Sequence, residues 1–445
     1  MIFYIMLFKK TIIIQTLFLI YNSKMILGIY MKKIISKFYN YLANDSLYRN
    51  SIYLMLSTGV MAVFGFFFWI INARLYSAEQ VGIGTTLISI MTLISSFSLL
   101  GLGNSLIKYL PTSDKKNEKI NTSFTLVGLT SIFISIFFLV FLKTFSPRLL
   151  FVRENIIFSL LFILFIVFTS LNAISENVFI AYRSSKFVLI KNTISSIVKL
   201  ILPIFLVALG AYGIVVSMGI AIAIAFLVSL VFLILRFNYS PKPIIDRIVV
   251  KRMTKFSLGN YVAGFIGGLP AMVLPILITN SIGAKFSAYF YMDMMIANLL
   301  YIIPSATSQA LFAEGSYSEI ELKVHLKKAI KIISIIIIPA IIVTFLFGKY
   351  ILLAFGKEYS SEGVIFLQIL AISGIFISIN CIGNSIFYIK HRIKLIILVN
   401  FIGASIILSL SIIFIHNNLL GIGVGWMLGQ GIISVIYLLF IKKLL

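Results

Sequence analysis

The chain has 445 residues, of which 60% are hydrophobic and 11% charged, with a mean hydropathy of +1.10. A soluble globular protein is about half apolar and about a quarter charged, so that class is excluded. Lys and Arg outnumber Asp and Glu by 37 to 13, but they gather in short clusters between apolar runs, which is how charge orients a protein in a bilayer rather than how it meets nucleic acid.

The apolar runs are about as long as a helix that crosses a bilayer core, which takes about 20 residues. Backbone in lipid must bond to itself, so these runs are helices. None shows the short alternating pattern of a membrane strand. Residues 1–30 fit poorly, because the apolar stretch Thr11 to Tyr21 is too short to span and is flanked by Lys9, Lys10 and Lys24. The sequence favours Met31, followed by Lys32 and Lys33, as the start, with residues 1–50 a cytoplasmic segment. Spans are predicted at 51–73, 83–107, 121–142, 155–180, 188–209, 213–235, 257–280, 286–311, 329–348, 361–383, 395–415 and 419–441. The expected fold is an all-α membrane protein of about twelve helices. A first six-helix lobe (51–235), a cytoplasmic linker (236–256) with Pro241 and Pro243, and a second six-helix lobe (257–445) surround a central cavity.

With the first segment cytoplasmic, that side collects 26 Lys and Arg, Lys191 among them, against seven on the other. Both termini are therefore expected in the cytoplasm. Asn72 and Asn280 are 208 residues apart, as are Gly213-Ile214 and Gly421-Ile422. A parallel six-plus-six repeat places substrate between the halves near the membrane midplane. No loop can hold a nucleotide-binding domain, no GxxxxGK[ST] occurs, and the lone Cys381 and three scattered histidines offer no metal cluster. Movement of a solute or lipid, without cofactor or catalysis, is the expectation.

A charge inside a span costs about 2.5–3.5 kcal/mol on insertion scales and faces a cavity or a partner. Lys199 lies about 16 Å from either end of its predicted span. It shares a helical face with Asn192, Ser195 and Ser196, a stripe that reads as cavity lining with Lys199 as the contact for an anionic substrate. The alternative is a buried charge paired within the bundle. Asp293, the one acid well inside a span, can take up H⁺ or Na⁺ as the coupling ion, or pair with Lys199. Glu176 reads as interfacial. The stripes Thr85-Ser89-Thr92-Ser96, Asn298-Tyr301-Ser305-Gln309 and Asn380-Asn384 read as helix packing. Pro270 and Pro275, beside Gly264, Gly267 and Gly268, make the seventh span the most pliable, as a hinge or a static kink.

The stretch Ile71-Asn72-Ala73-Arg74-Leu75-Tyr76-Ser77-Ala78-Glu79-Gln80-Val81-Gly82, continued by Leu100-Gly101-Leu102-Gly103 and Ile107-Lys108-Tyr109-Leu110-Pro111, resembles the first loop of the polysaccharide-transporter family. That family includes O-antigen and teichuronic-acid type flippases within the multidrug/oligosaccharidyl-lipid/polysaccharide exporter superfamily. Ala181-Tyr182-Arg183 and Gly210-Ala211-Tyr212-Gly213 extend the likeness over roughly residues 45–440. The resemblance implies two lobes facing each other in a V in the cell membrane, moving polyprenyl-(pyro)phosphate-linked oligosaccharide to the outer leaflet for cell-surface polysaccharide biosynthesis. The motif assigns no residue a role. A cationic cavity with a lateral opening suits the anionic group, for which Lys199 and Arg74 are the candidates. The expected partners are membrane lipids, the lipid-linked oligosaccharide, H⁺ or Na⁺ and glycan-assembly proteins, not nucleic acid. The rival readings are a multidrug/cation antiporter, which favours an acidic cavity, a membrane-embedded glycan transferase or polymerase, and a non-transporting scaffold.

Overall fold

The computed structural model describes residues 46–317 and 321–444; the expected start at Met31 lies outside the described residues. The helices are α1 (Ser46–Leu75), α2 (Ala78–Ser98), α3 (Leu102–Tyr109), α4 (Lys116–Val140), the single turns α5 (Leu142–Phe145) and α6 (Phe151–Glu154), α7 (Ile156–Ala181), α8 (Lys186–Phe205), α9 (Ala211–Phe237), α10 (Arg247–Ser281), α11 (Ala284–Tyr317), α12 (Leu322–Leu353), α13 (Lys357–Ile389), α14 (Ile393–Ile413) and α15 (Asn418–Leu444). Twelve, all but α3, α5 and α6, are long and apolar enough to cross a membrane, and no strand occurs among the described residues.

Two boundaries differ from those the hydropathy implies. The second span stops at Ser98, not 107, because Leu100 (φ 49°) and Gly101 (φ 73°) adopt the left-handed conformation and turn the chain into the separate short helix α3. The linker shrinks to residues 238–246, because the charged run from Arg247 stays helical. The linker is tied to the start of α4. Asn121 Oδ1 accepts from the Tyr239 hydroxyl (2.6 Å) and the Lys242 amide (3.0 Å), while its Nδ2 donates to the Ser240 carbonyl (2.9 Å).

The 208-residue offset extends well beyond the two matches seen in the sequence. Left-handed Arg183 (φ 52°) corresponds to His391 (φ 55°). The 3₁₀ turn Val207–Leu209 corresponds to Ile415–Asn417, and Gly210 (φ 56°, ψ −139°) to Asn418 (φ 54°, ψ −141°). A Cβ on Gly213 would lie 2.2 Å from the Leu206 carbonyl oxygen, and one on Gly421 would lie 1.9 Å from that of Phe414, the equivalent residue. Helix packing repeats as well. In the first half α1 packs on α8, α8 on α9, α9 on α7 and α7 on α4; in the second, α10 on α14, α14 on α15, α15 on α13 and α13 on α12.

The alternating helices place the loops at 76–77, 141–155, 206–210, 282–283, 354–356 and 414–417 at one end of the bundle, where the halves are fastened together. This is the clasp end. Gly82 of α2 lies so close to α11 that a Cβ there would sit 1.7 Å from the Ala284 carbonyl oxygen, and small residues allow membrane helices this approach. One turn on, Thr86 Oγ1 meets Thr279 Oγ1 of α10 (2.6 Å) and Ser287 Oγ of α11 (3.0 Å). Two loop clasps flank this contact. Arg74 donates to the carbonyls of Leu353 (2.6 Å) and Ala354 (3.0 Å) at the end of α12, where the helix dipole favours a cation. Asn280 donates to Phe145 O (2.8 Å) and accepts from the Ser146 hydroxyl (2.9 Å). Ser146 and Ala354 are themselves repeat equivalents, so the two clasps grip corresponding loops, although Arg74 and Asn280 are not equivalent positions.

Candidate functional site

The packing between halves is lopsided. The flank where α10 meets α2 is closed along its length, with Phe97 against Phe265 (5.6 Å) and the Tyr261 hydroxyl donating to Ser96 O. On the opposite flank α1 and α11 meet where the Trp69 ring packs at a tilt against Tyr291 (4.8 Å). Beyond that contact they part around a cavity of about 630 Å³. Its walls are apolar, with Met61, Phe66 and Phe67 of α1 facing Phe290, Met294 and Leu299 of α11, and Asn298 as its one amide. Asn298, taken from the sequence as a packing residue, therefore lines this gap.

Lys199 stands behind the α1 wall. Its Nζ lies 4.0 Å from where a Cβ on Gly65 would be, and Gly65 lines the cavity. Lys199 is half-buried and has neither an ion pair nor a hydrogen bond among the described residues. It sits nearer the clasp end than predicted, because α8 ends at Phe205; at 1.5 Å per residue that is about 9 Å from one end and about 20 Å from the other.

The structure divides the rest of the stripe. Ser195 is half-exposed, Ser196 is buried, and Asn192 donates to the Ser57 hydroxyl of α1 (2.9 Å). Asn192 therefore holds α8 against α1. Arg74 belongs to the clasp, away from the Lys199 stripe. Asp293 does not pair with Lys199. It is fully buried in α11, neither carboxylate oxygen has a partner, and Oδ2 lies 2.7 Å from where a Cβ on Gly363 of α13 would be. Pro270 and Pro275 lie within an α10 that runs unbroken through both.

Lys191, counted among the cytoplasmic lysines, is a fully buried residue of the first lobe. Its Nζ reaches Asn172 Oδ1 (2.8 Å), Asn172 O (3.3 Å) and Glu176 Oε2 (3.3 Å) on α7. Glu176 is thus a counter-ion and not merely an interfacial acid. Asn172 and Glu176 stand one turn apart on one face of α7, which the sequence shows, but nothing in it marks Lys191 as the residue that meets them.

In the second lobe a smaller cavity of about 140 Å³ lies between α10, α13, α14 and α15, where Asn380, Asn384, Asn400 and Gln430 converge among apolar neighbours such as Ile407 and Ile433. Asn380 Nδ2 donates to Gln430 Oε1 (2.8 Å), and its Oδ1 accepts from the Ser434 hydroxyl (2.9 Å). Asn384 Oδ1 is buried without a partner.

With this geometry in hand, the family is decided by the sequence itself. Residues 71–362, more than half of the chain, match the model of a family described as "Polysaccharide biosynthesis protein". The chain belongs to that family. A search of curated proteins finds no match. Among solved structures, this polysaccharide biosynthesis protein is similar to the inward-facing form of a multidrug resistance MATE family transporter of the MOP superfamily, at 15% identity and a TM-score of 0.69 over 88% of this chain and 97% of that one. It is similar also to the lipid II flippase MurJ in an inward closed conformation, at 17% identity and a TM-score of 0.70 over 88% and 87%. A third likeness, 14% identical with a TM-score of 0.60 over 91% and 97%, is to a MOP superfamily transporter from Pyrococcus furiosus described as having a binding pocket of reverse polarity. The fold is the two-lobed one of these transporters.

Proposed function

We propose that the chain is a flippase that moves polyprenyl-(pyro)phosphate-linked oligosaccharide from the inner to the outer leaflet of the cell membrane by alternating access. The observation that carries this reading is the gap between α1 and α11, apolar along its walls and backed by the Lys199 ammonium. An apolar side opening receives a lipid chain, and a cation just behind it receives an anionic headgroup. Few other ligands need both at once. The excess of Lys and Arg toward the opposite end makes the clasp end the outer one, with both termini cytoplasmic. The state described here is therefore sealed outside by Arg74, Asn280 and the Thr86 contact.

On this reading Lys199 and Ser195 meet the headgroup, and Arg74 acts in closure. Asp293, buried with both oxygens unpartnered, is the position assigned to the coupling H⁺ or Na⁺. Pro270 and Pro275 let α10 bend as the lobes rock. The antiporter reading finds less support, because Glu176, the acid within a first-lobe span, is engaged by Lys191.

The test is export of lipid-linked glycan in cells carrying Lys199→Ala or Lys199→Arg, with membrane abundance followed in parallel. We expect loss of export with Ala at unchanged abundance and partial export with Arg. Full export by Lys199→Ala would remove the cationic contact on which the reading stands.

A further inference from the structure

The internal repeat carries the charged stripe of the first lobe onto the cavity of the second. At the 208-residue offset Asn172 corresponds to Asn380, Glu176 to Asn384, Asn192 to Asn400 and Lys199 to Ile407, and Asn380, Asn384, Asn400 and Ile407 all line the second-lobe cavity. Lys191 corresponds to Val399. One architecture is thus built twice, and each ionisable position of the first copy is uncharged in the second. What remains there is a set of carboxamides, joined by Gln430, which has no polar equivalent in the first lobe because Ile222 stands in its place.

Carboxamides offer donors and acceptors together without net charge, which matches a sugar's hydroxyl and acetamido groups and suits neither a phosphate nor a cationic drug. Two are set in advance: Asn380 is fixed by Ser434 and Gln430, and Asn400 donates to Ala263 O (2.9 Å). Asn384 lines the cavity with its Oδ1 buried and without a donor, a cost that a ligand hydroxyl relieves once the amide turns toward the cavity. At about 30 Å³ per water, the 140 Å³ cavity holds about five waters, the room of a single sugar ring and not of a chain.

We propose that this cavity is the subsite for an uncharged sugar of the substrate, the neutral half of a divided binding site whose charged half surrounds Lys199. The proposal rests on the flippase reading and adds to it the part of the substrate that the second lobe recognises.

The experiment measures binding of two probes to the full-length protein in lipid nanodiscs. They are undecaprenyl pyrophosphate and the same lipid carrying one N-acetylhexosamine. Wild type should bind the sugar-bearing lipid more tightly. Asn384→Leu and, separately, Gln430→Leu should each weaken that lipid roughly tenfold and leave undecaprenyl pyrophosphate unchanged, which also shows that the variants fold. Lys199→Ala should weaken both. If wild type binds neither lipid, the flippase reading falls and the subsite with it. If wild type binds both lipids alike, or the variants bind as wild type does, or they lose both lipids equally, the subsite alone is overturned. A loss seen only as an altered Na⁺ dependence overturns it too, in favour of a cation site.

Discussion

Replacing Glu176 with Ala leaves the Lys191 ammonium fully buried with only Asn172 to hold it. At 3.3 Å and an effective dielectric of about 20, the lost attraction is about 5 kcal/mol. Glu176 is 37% exposed, so water screens part of this. Breaking a fully buried pair costs about 3–5 kcal/mol, and a loss of about 2–3 kcal/mol is expected here. For a domain of about 150–250 residues each kcal/mol moves the midpoint by about 2–4 °C, so thermal unfolding in detergent should begin roughly 4–12 °C lower. Replacing both partners, Lys191→Met with Glu176→Ala, removes the stranded charge and should recover most of the loss, since apolar substitutes for buried pairs are often neutral. An unchanged midpoint in Glu176→Ala, or a double variant as unstable as the single one, would refute the assignment of Glu176 as the counter-ion.

The clasp gives two further outcomes, both read with spin labels at Glu79 and Glu362 in a Cys381→Ser background. Arg74→Ala removes two hydrogen bonds across the lobes; because the guanidinium is exposed, about 1–2 kcal/mol is expected, a 5- to 30-fold shift toward the separated state. Gly82→Ala pushes a methyl into the Ala284 carbonyl and should lengthen the same distance without changing the helix content. Asn418 holds a backbone conformation that glycine holds at the equivalent Gly210. Such strain costs about 1–3 kcal/mol, so Asn418→Gly should raise the unfolding midpoint by a few degrees, and Gly210→Asn should lower it.

The fold was largely legible in the sequence because lipid leaves the backbone so few choices. Twelve apolar runs of bilayer length could only be helices, and their number held. What hydropathy missed were local events that leave apolarity unchanged. Leu100 and Gly101 turn the chain although leucine and glycine read as continuous span, and the charged Arg247 run stays helical although it reads as linker. The site was legible only in part. Lys199 was identifiable as an unusual charge; in the structure it stands behind Gly65 of α1 and is not itself among the residues that line the cavity. Lys191 was not identifiable, because a lysine near a helix end looks like any loop lysine until its partner on α7 is known. Asn400 and Gln430 were hidden for a related reason: an isolated amide in a membrane helix signals packing, and only its convergence with others from separate helices shows it to line a cavity.

The 208-residue register runs from the first clasp to the last helix without a net insertion or deletion. Many positions between 46 and 237 therefore have a twin 208 residues on, on the corresponding helix but facing different chemistry. A substitution and its twin form a matched pair within one polypeptide, each serving as the other's control for membrane insertion and expression. Any difference between their effects reports on what the two halves have come to do separately.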